Sequence, residues 1–461
     1  MGNSFGVSGL RGEANVSLTA DITFKFGKLL GWYLRELKSR AGDTERPRVV
    51  IGRDPRQSGA MFEASISAGL MESGSDAYLL HVTSTPSVSF ITRHDKFDCG
   101  VMITASHNPF YDNGIKVIDQ YGVSMGEKLF VLLEDYVNGR LECFGSHWDD
   151  IPAADRNNIG TVHDWSCGRE TYIQHLASIT QNSLNGIRVG IDCANGASSV
   201  IAHKVFEALG VDAVFVNDKP DGFNINQGCG SEHLDVIRKL VLDNKLDVGF
   251  SLDGDADRCM AMDSEGNEVN GDHFSYIYAK FLKERGRLAN NAVVGTIVSN
   301  LALKMALEKE GIDYYICGVG EPVVRQTMAE HGCIIGGEQC GHIVFAEHSN
   351  TGDGLLTALK MLDVMQAEKK SLKELASPLK ELPQHHVYLK VTDKKAAVKD
   401  PKLLEVIDRI RAELGSMGRV LVRHSDTESV VRIMVESESW DKCYSYADQI
   451  VDTLRSRGYL A

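Results

Sequence analysis

The 461-residue chain has no apolar run approaching the length of a membrane span. Its opening residues, MGNSFGVSGLRGEAN, hold no hydrophobic stretch of the kind a secretory signal needs. They begin Met-Gly, but Gly6 stands where a myristoylation motif requires serine or threonine. The ten cysteines are scattered, the closest pair being Cys333 and Cys340. With neither a C-x-x-C nor a zinc-ligand spacing, reduced thiols are the expected state. Positive charge is also short: 49 Lys and Arg face 63 Asp and Glu, a net charge of −14. Nucleic acid and anionic membranes want a basic face, so neither is an expected partner. An acidic protein can still bind a small anion if Arg, Lys and backbone N–H groups converge in one pocket. Together these absences predict a cytoplasmic protein.

Apolar residues make up 43% of the chain, enough for several hydrophobic cores. The length suggests about three domains, with four also open. Thr19 reads as a helix N-cap, followed at helical spacing by Ile22, Phe26, Leu29, Leu30, Tyr33 and Leu37. Strands are expected over 48–51, 77–81 and 101–104, with a helix from about Ser58. After a polar stretch at 149–158 the alternation restarts, with strands over 187–192, 211–216 and 247–252. A third round has strands over 292–298, 313–317 and 333–336 and a helix from about Gly352. Such alternation implies βαβ units. Past Leu379 the order changes to strands over 386–391, 420–423 and 430–436, with helices over 403–414 and 444–456. The expected fold is α/β: three similar domains with mostly parallel sheets (1–155, 156–252 and 253–378), then an α+β domain (379–461).

Ligands in such folds sit outside the carboxyl ends of parallel strands, and two unusual loops fall there. In Asp253-Gly-Asp-Ala-Asp-Arg258 three carboxylates alternate with small residues. That close they repel one another unless a hard cation lies between them, and oxygen ligands favour Mg²⁺. An EF-hand would need glycine at its sixth position and glutamate at its twelfth, where Arg258 and Ser264 stand; the remaining competitor is a solvated acidic turn. The second loop, Thr104-Ala-Ser-His-Asn-Pro109, offers Ser106 as a nucleophile or simply as a turn former, with Lys116 downstream. Two further segments carry chemistry. Gly336-Gly-Glu-Gln-Cys-Gly-His342 places Glu338 and His342 on glycine-flanked backbone, where one could accept hydrogen bonds from hydroxyls and the other move a proton. Arg423-His-Ser-Asp-Thr-Glu428 with Arg432 could cradle a phosphate, or could be an ordinary surface hairpin.

Together, in this order, the four segments resemble the α-D-phosphohexomutase superfamily over essentially the whole chain. Within it the chain is most similar to bacterial phosphoglucosamine mutases, on the strength of Phe5-Gly6 leading to Gly9-Leu10-Arg11-Gly12, Pro220-Asp-Gly-Phe-Asn-Ile-Asn226, Cys229-Gly-Ser231, Thr351-Gly-Asp-Gly354 and Gln339. The resemblance implies four domains around a central cleft. It also implies a phosphate moved between the 6- and 1-positions of a hexose, by way of phosphorylated Ser106 and a hexose bisphosphate. The expected substrate is glucosamine 6-phosphate, with glucose and mannose phosphates as the alternative; a phosphatase and a non-catalytic sugar-phosphate sensor are more distant readings.

The same resemblance assigns roles. Ser106, Asp253, Asp255 and Asp257 would hold Mg²⁺, supported by Arg258. Lys116, His342 and Arg11 would orient the reacting oxygen and transfer its proton, and His107 and Asn108 would support the serine loop. Glu338, Gln339 and Cys340 would bind the sugar, while Arg423, Ser425, Thr427 and Arg432 clamp the idle phosphate. A hinge near 379–383 would let the bisphosphate turn over, and a homodimer is one assembly compatible with the resemblance. Four departures from the family pattern stand out: Phe5-Gly-Val-Ser-Gly9 for F-G-T-D-G, Cys340 for serine, Val319-Gly-Glu-Pro322 for V-G-D-R, and Asp426 for a glycine of the phosphate loop.

Overall fold

The computed structural model describes residues 4–6, 9–125, 128–425 and 429–460. The chain divides into two compact units, 1–297 with 312–377 and 298–311 with 378–461.

Three large sheets, besides the two-stranded hairpin Leu141–Cys143 with Ser146–Trp148, build the larger unit. The first has seven strands in the order Ser4–Gly6, Gly9–Glu13, Asp112–Asp119, Cys99–Ile103, Arg48–Arg53, Asp76–Val82 and Val162–Asp164. The second runs Asp212–Val216, Arg188–Asp192, Val248–Leu252, Cys259–Asp263 and Glu268–Val269. The third runs Asp313–Cys317, Ala292–Thr296, Ile335–Gly337 and Ile343–Phe345. Each is α/β as expected, with one refinement: each is parallel on one side and antiparallel on the other. The reversal falls at the same place every time. Cys99–Ile103 passes through the Ser106 loop into Asp112–Asp119; Val248–Leu252 passes through the acidic loop into Cys259–Asp263; Ile335–Gly337 passes through the Glu338 loop into Ile343–Phe345. All three loops thus leave the carboxyl end of a strand that has a parallel neighbour.

Helices cover the sheets for the reasons the sequence offers. Thr19 caps Ala20–Arg40 by accepting from the Ile22 N–H, and Phe26, Leu29, Leu30 and Tyr33 are buried. Leu37 does not join them; it is 42% exposed near the helix end. Asp353, accepting from the Leu356 N–H, starts Gly354–Glu368, a helix buried almost all round.

The smaller unit is α+β: an antiparallel sheet ordered Gln384–Lys390, Val430–Glu436, Arg419–His424, covered by Pro401–Leu414 and Trp440–Ser456. Residues 298–311, which follow the Ala292–Thr296 strand of the larger unit, pack here. Asn300 exchanges hydrogen bonds with both backbone groups of Leu382, and Glu436 accepts from the Leu301 N–H at 2.7 Å. Among the described residues no helix is long and apolar enough to cross a membrane.

Candidate active site

Ser106 occupies a left-handed backbone conformation, φ +52°, which costs a non-glycine residue free energy and persists only where its surroundings enforce it. Arg56 supplies much of that enforcement. Only 1% exposed, it donates to the carbonyls of Ser106 (2.8 Å), Asn108 (2.9 Å), Asp112 (3.1 Å) and Pro109, and pairs with Asp54 Oδ2 at 2.8 Å. Asp54 also accepts from the Thr104 hydroxyl, whose oxygen accepts from the Ser106 N–H. The Ser106 hydroxyl is thereby aimed at the acidic loop and donates to Asp253 Oδ2 at 2.5 Å.

Asp253, Asp255 and Asp257 are buried, with one ligand oxygen of each within 4.8 Å of the others. Gly254 permits this approach, because a Cβ there would meet the Ser106 carbonyl oxygen at 2.6 Å. Lys116 Nζ bridges Asp255 Oδ2 (2.7 Å) and Asp257 Oδ2 (2.8 Å). Thr85, at the N-terminus of the helix Thr85–His94, donates its hydroxyl to Asp255 Oδ2. Burial, with the charges of Asp257 and Asp255 added, pushes the Asp253 carboxyl well above its usual range. Burial acts the same way on Asp257, but Lys116, His342 and Arg258 outweigh it and hold that carboxyl well below. Asp255 Oδ1 and Asp257 Oδ1 have no hydrogen-bond partner although buried. Two orphaned carboxylate oxygens beside Asp253 and the Ser106 oxygen make an all-oxygen donor set that fits a hard divalent cation.

The Glu338 loop reaches the same place. Gly341 (φ +90°) lies so close to the Cys259 carbonyl that a Cβ would stand 2.0 Å from its oxygen. Glu338 Oε1 accepts from the Gly320 N–H at 3.0 Å. His342 is buried between two carboxylates, Nε2 3.3 Å from Glu321 Oε2 and Nδ1 3.8 Å from Asp257 Oδ1. Burial alone would lower its pKa; Asp257 and Glu321 raise it well above the ordinary imidazole value. The Cys340 thiol is pushed up by burial, in the field of Arg258. Gln339 contributes its backbone carbonyl, which accepts from the Gly271 N–H.

Arg11 donates to Asn108 Oδ1 at 3.3 Å, and Asn108 donates to Asp112 Oδ2. Arg258 holds the acidic loop through its backbone N–H, which donates to Asp253 Oδ1, while its guanidinium reaches Glu232 at 3.4 Å. His107 is pushed down to about 4 by burial and by Arg258, and its Nδ1 is buried without a partner. The structure therefore brings together Ser106, Lys116, Arg11, the three aspartates, Arg258, His342, Asn108 and His107.

The predicted phosphate residues lie in the smaller unit. Arg423 and Arg432 face each other directly in antiparallel register. Arg432 donates to the Ser425 hydroxyl at 3.4 Å. Thr427 and the departure at Asp426 lie outside the described residues, as do Val7 and Ser8 of the opening departure.

Sequence reasoning missed Arg56, Asp54 and Thr85, and read Glu321 only as part of a departure from the family pattern. The first two belong to Arg53-Asp-Pro-Arg56, a turn at the carboxyl end of the strand Arg48–Arg53, and the strand-end rule that singled out Ser106 would have found them.

Comparison with known proteins agrees with this fold. The phosphoglucomutase/phosphomannomutase family matches domain by domain: alpha/beta/alpha domain I at residues 2–140, domain II at 170–266, domain III at 270–382 and the C-terminal domain at 387–453. The chain is 48% identical over 459 residues to a phosphoglucosamine mutase of Lachnospira eligens, and 47% identical over 460 residues to one of Lachnoclostridium phytofermentans. In both cases all of each chain is covered. Among solved structures, a phosphoglucomutase/phosphomannomutase family protein of Burkholderia thailandensis matches with a TM-score of 0.79 at 22% identity, covering 98% of this chain and 97% of its own. An Aspergillus fumigatus N-acetylphosphoglucosamine mutase, solved with GlcNAc-6P and magnesium, matches with a TM-score of 0.69 at 18% identity, covering 98% and 96%. These two likenesses bear on the fold alone. With all four family domains present in order and full-length relatives near half identity, the chain belongs to the phosphoglucomutase/phosphomannomutase family.

Proposed function

We propose that this chain interconverts glucosamine 6-phosphate and glucosamine 1-phosphate through a phosphate carried on Ser106. The observation that carries the reading is the Ser106 hydroxyl held 2.5 Å from Asp253 in a buried triad of carboxylates with two orphaned oxygens. The choice of sugar rests on the names of the full-length relatives.

The P–O bond to Ser106 breaks as a bond to the free sugar hydroxyl forms, and the hydroxyl's proton ends on the serine oxygen. Asp253, Asp255 and Asp257, with the serine oxygen, would hold Mg²⁺, which neutralises charge on the transferring phosphoryl group. Arg11 and Arg258 flank the serine and supply further positive charge. Lys116 and His342 orient the reacting hydroxyl and handle its proton. Glu338 and the groups at Gln339 and Cys340 receive the sugar's remaining hydroxyls. Arg423, Ser425, Thr427 and Arg432 hold the idle phosphate. Two guanidiniums opposed across a sheet repel each other, and an anion seated on both would relieve the repulsion. The resulting hexose bisphosphate turns over and returns its other phosphate to Ser106. A small-molecule substrate and a cytoplasmic site of action complete the reading.

A coupled assay over glucosamine, glucose and mannose phosphates tests it. Highest kcat/KM on glucosamine 6-phosphate is expected. Equal or better values on glucose or mannose phosphate overturn the choice of sugar, and free phosphate as the only product overturns the mutase.

A further inference from the structure

The segment Pro220-Asp-Gly-Phe-Asn-Ile-Asn226 resembles phosphoglucosamine mutases strongly enough to suggest contact with the sugar. Its hydrogen bonds run elsewhere. Asn224 closes its own turn: its Oδ1 accepts from the Asp221 N–H and its Nδ2 donates to the Lys219 carbonyl. The Gly222 carbonyl accepts from the Gln57 N–H at 3.0 Å, tying the segment to the start of the helix Gly59–Glu72. Asn226, itself left-handed at φ +58°, donates through Nδ2 to the carbonyls of Ser106 (2.9 Å) and Asn108 (3.2 Å). Its N–H donates to the Ala194 carbonyl at 2.9 Å.

Arg56 grips the same two carbonyls of Ser106 and Asn108. The serine loop is thus held by one cation from the first sheet and one amide from the second sheet's side. The amide also lies against the acidic loop, where a Cβ on Gly254 would stand 2.9 Å from Asn226 Nδ2. A side chain touching both loops fixes the distance between the nucleophile and its carboxylates, and phosphoryl transfer is sensitive to that distance.

We propose that Asn226 is a positioning residue for phosphoryl transfer, holding the Ser106 loop in register with the acidic loop rather than recognising the sugar. The inference rests on Ser106 being the phosphate carrier.

The test uses the full-length protein with two variants. Asn226→Gly keeps the left-handed backbone and removes the amide. Asn226→Asp keeps the shape and removes both donated hydrogen bonds. Single-turnover transfer from phosphorylated Ser106 to glucosamine 6-phosphate is followed by intact mass. Binding of the same sugar phosphate is measured by calorimetry in a Ser106→Ala background. The transfer rate is expected to fall roughly ten- to hundred-fold in both variants, with sugar-phosphate affinity changed less than about two-fold. Transfer rates within two-fold of wild type overturn the proposal. So does a loss of affinity matching the loss of rate, which would make Asn226 a sugar contact. Failure of wild-type Ser106 to transfer phosphate at all overturns the reading beneath it instead.

Discussion

Ser106 and Asp253 are joined by a 2.5 Å hydrogen bond across 147 positions of sequence. The bond connects loops that leave two different sheets, so it reports directly on whether those sheets are in register. Ser106→Ala removes the proposed phosphate carrier and should lower turnover by about 10⁴-fold or more. Little stability should be lost, since a loop hydroxyl adds little packing. Peptide mapping of active protein should place a single phosphate on Ser106; phosphate elsewhere with an active Ala variant contradicts the assignment.

Orphaned oxygens on Asp255 and Asp257 predict that Mg²⁺ stabilises the fold. Ion present at 100 times its Kd should add about 2.7 kcal/mol, visible as a rise in Tm that chelator reverses. Asp257→Asn should abolish most of the rise. A Tm indifferent to Mg²⁺ in the wild type would contradict the donor set.

Arg56 and Asp54 are a fully buried pair. Arg56→Met leaves the Asp54 charge unpaired and should cost about 3–5 kcal/mol in denaturant unfolding. Adding Asp54→Asn should recover part of that cost, because the two residues act as a unit. Activity should not recover with it, since the serine loop has still lost the guanidinium that Arg56 donates to the carbonyls of Ser106, Asn108, Pro109 and Asp112. Recovery of both together would reduce Arg56 to a stability role.

Lys360 lies on the helix Gly354–Glu368, 4% exposed, over the Tyr278 ring at 5.7 Å. Burial pushes its amine down to about 8; Asp363 and Glu347 act the other way, while Arg287 adds to the lowering. With its folded pKa below the unfolded value, the unfolded chain binds more protons between about pH 8 and pH 10, so stability rises with pH across that window. At pH 7 the amine is charged and its penalty is fully present. Lys360→Met should therefore stabilise the protein at pH 7 by on the order of 2–3 kcal/mol. The advantage should shrink as pH rises past 8, and an advantage that is flat from pH 7 to 10 would rule out the amine as its source.

Arg432 carries both a repulsion from Arg423 and a bond to the Ser425 hydroxyl. Arg432→Met removes both, so the stability of the smaller unit should stay within about 0.5 kcal/mol of wild type. It should raise KM for hexose phosphates roughly ten-fold through the lost charge-assisted bond. A KM unchanged from wild type would remove Arg432 from phosphate binding.

The chemistry of the site was legible because it is written in residue types that are costly elsewhere. Three alternating aspartates after an apolar strand need a cation, and strand–helix alternation puts such loops at strand ends. What stayed hidden was the support. Arg56 and Asn226 act on backbone carbonyls, which every residue possesses, so a strand end and a family motif mark their positions but nothing in the sequence says what they hold. Strand Asp112–Asp119 carries Asp112, Asn113 and Gly114 at its start and does not read as a strand, yet its pairing with Cys99–Ile103 closes the serine loop. The placement of 298–311 in the smaller unit depends on Asn300 meeting Leu382, which spacing within the sequence cannot foretell.

Leu252 pairs with Cys259, and Gly337 with Ile343, across the mouths of two of the loops. The ends of each loop are therefore pinned at a single interstrand spacing, about 5 Å, whatever lies between. Between the pins, residues other than Gly254 and Gly341, where neighbouring backbone leaves no room for a Cβ, can be exchanged without asking the sheets to move. A change at the Glu338 loop should consequently be graftable: replacing 338–340 while keeping Gly341, which packs on Cys259, and His342, which faces Asp257, leaves the serine and acidic loops on their own anchors.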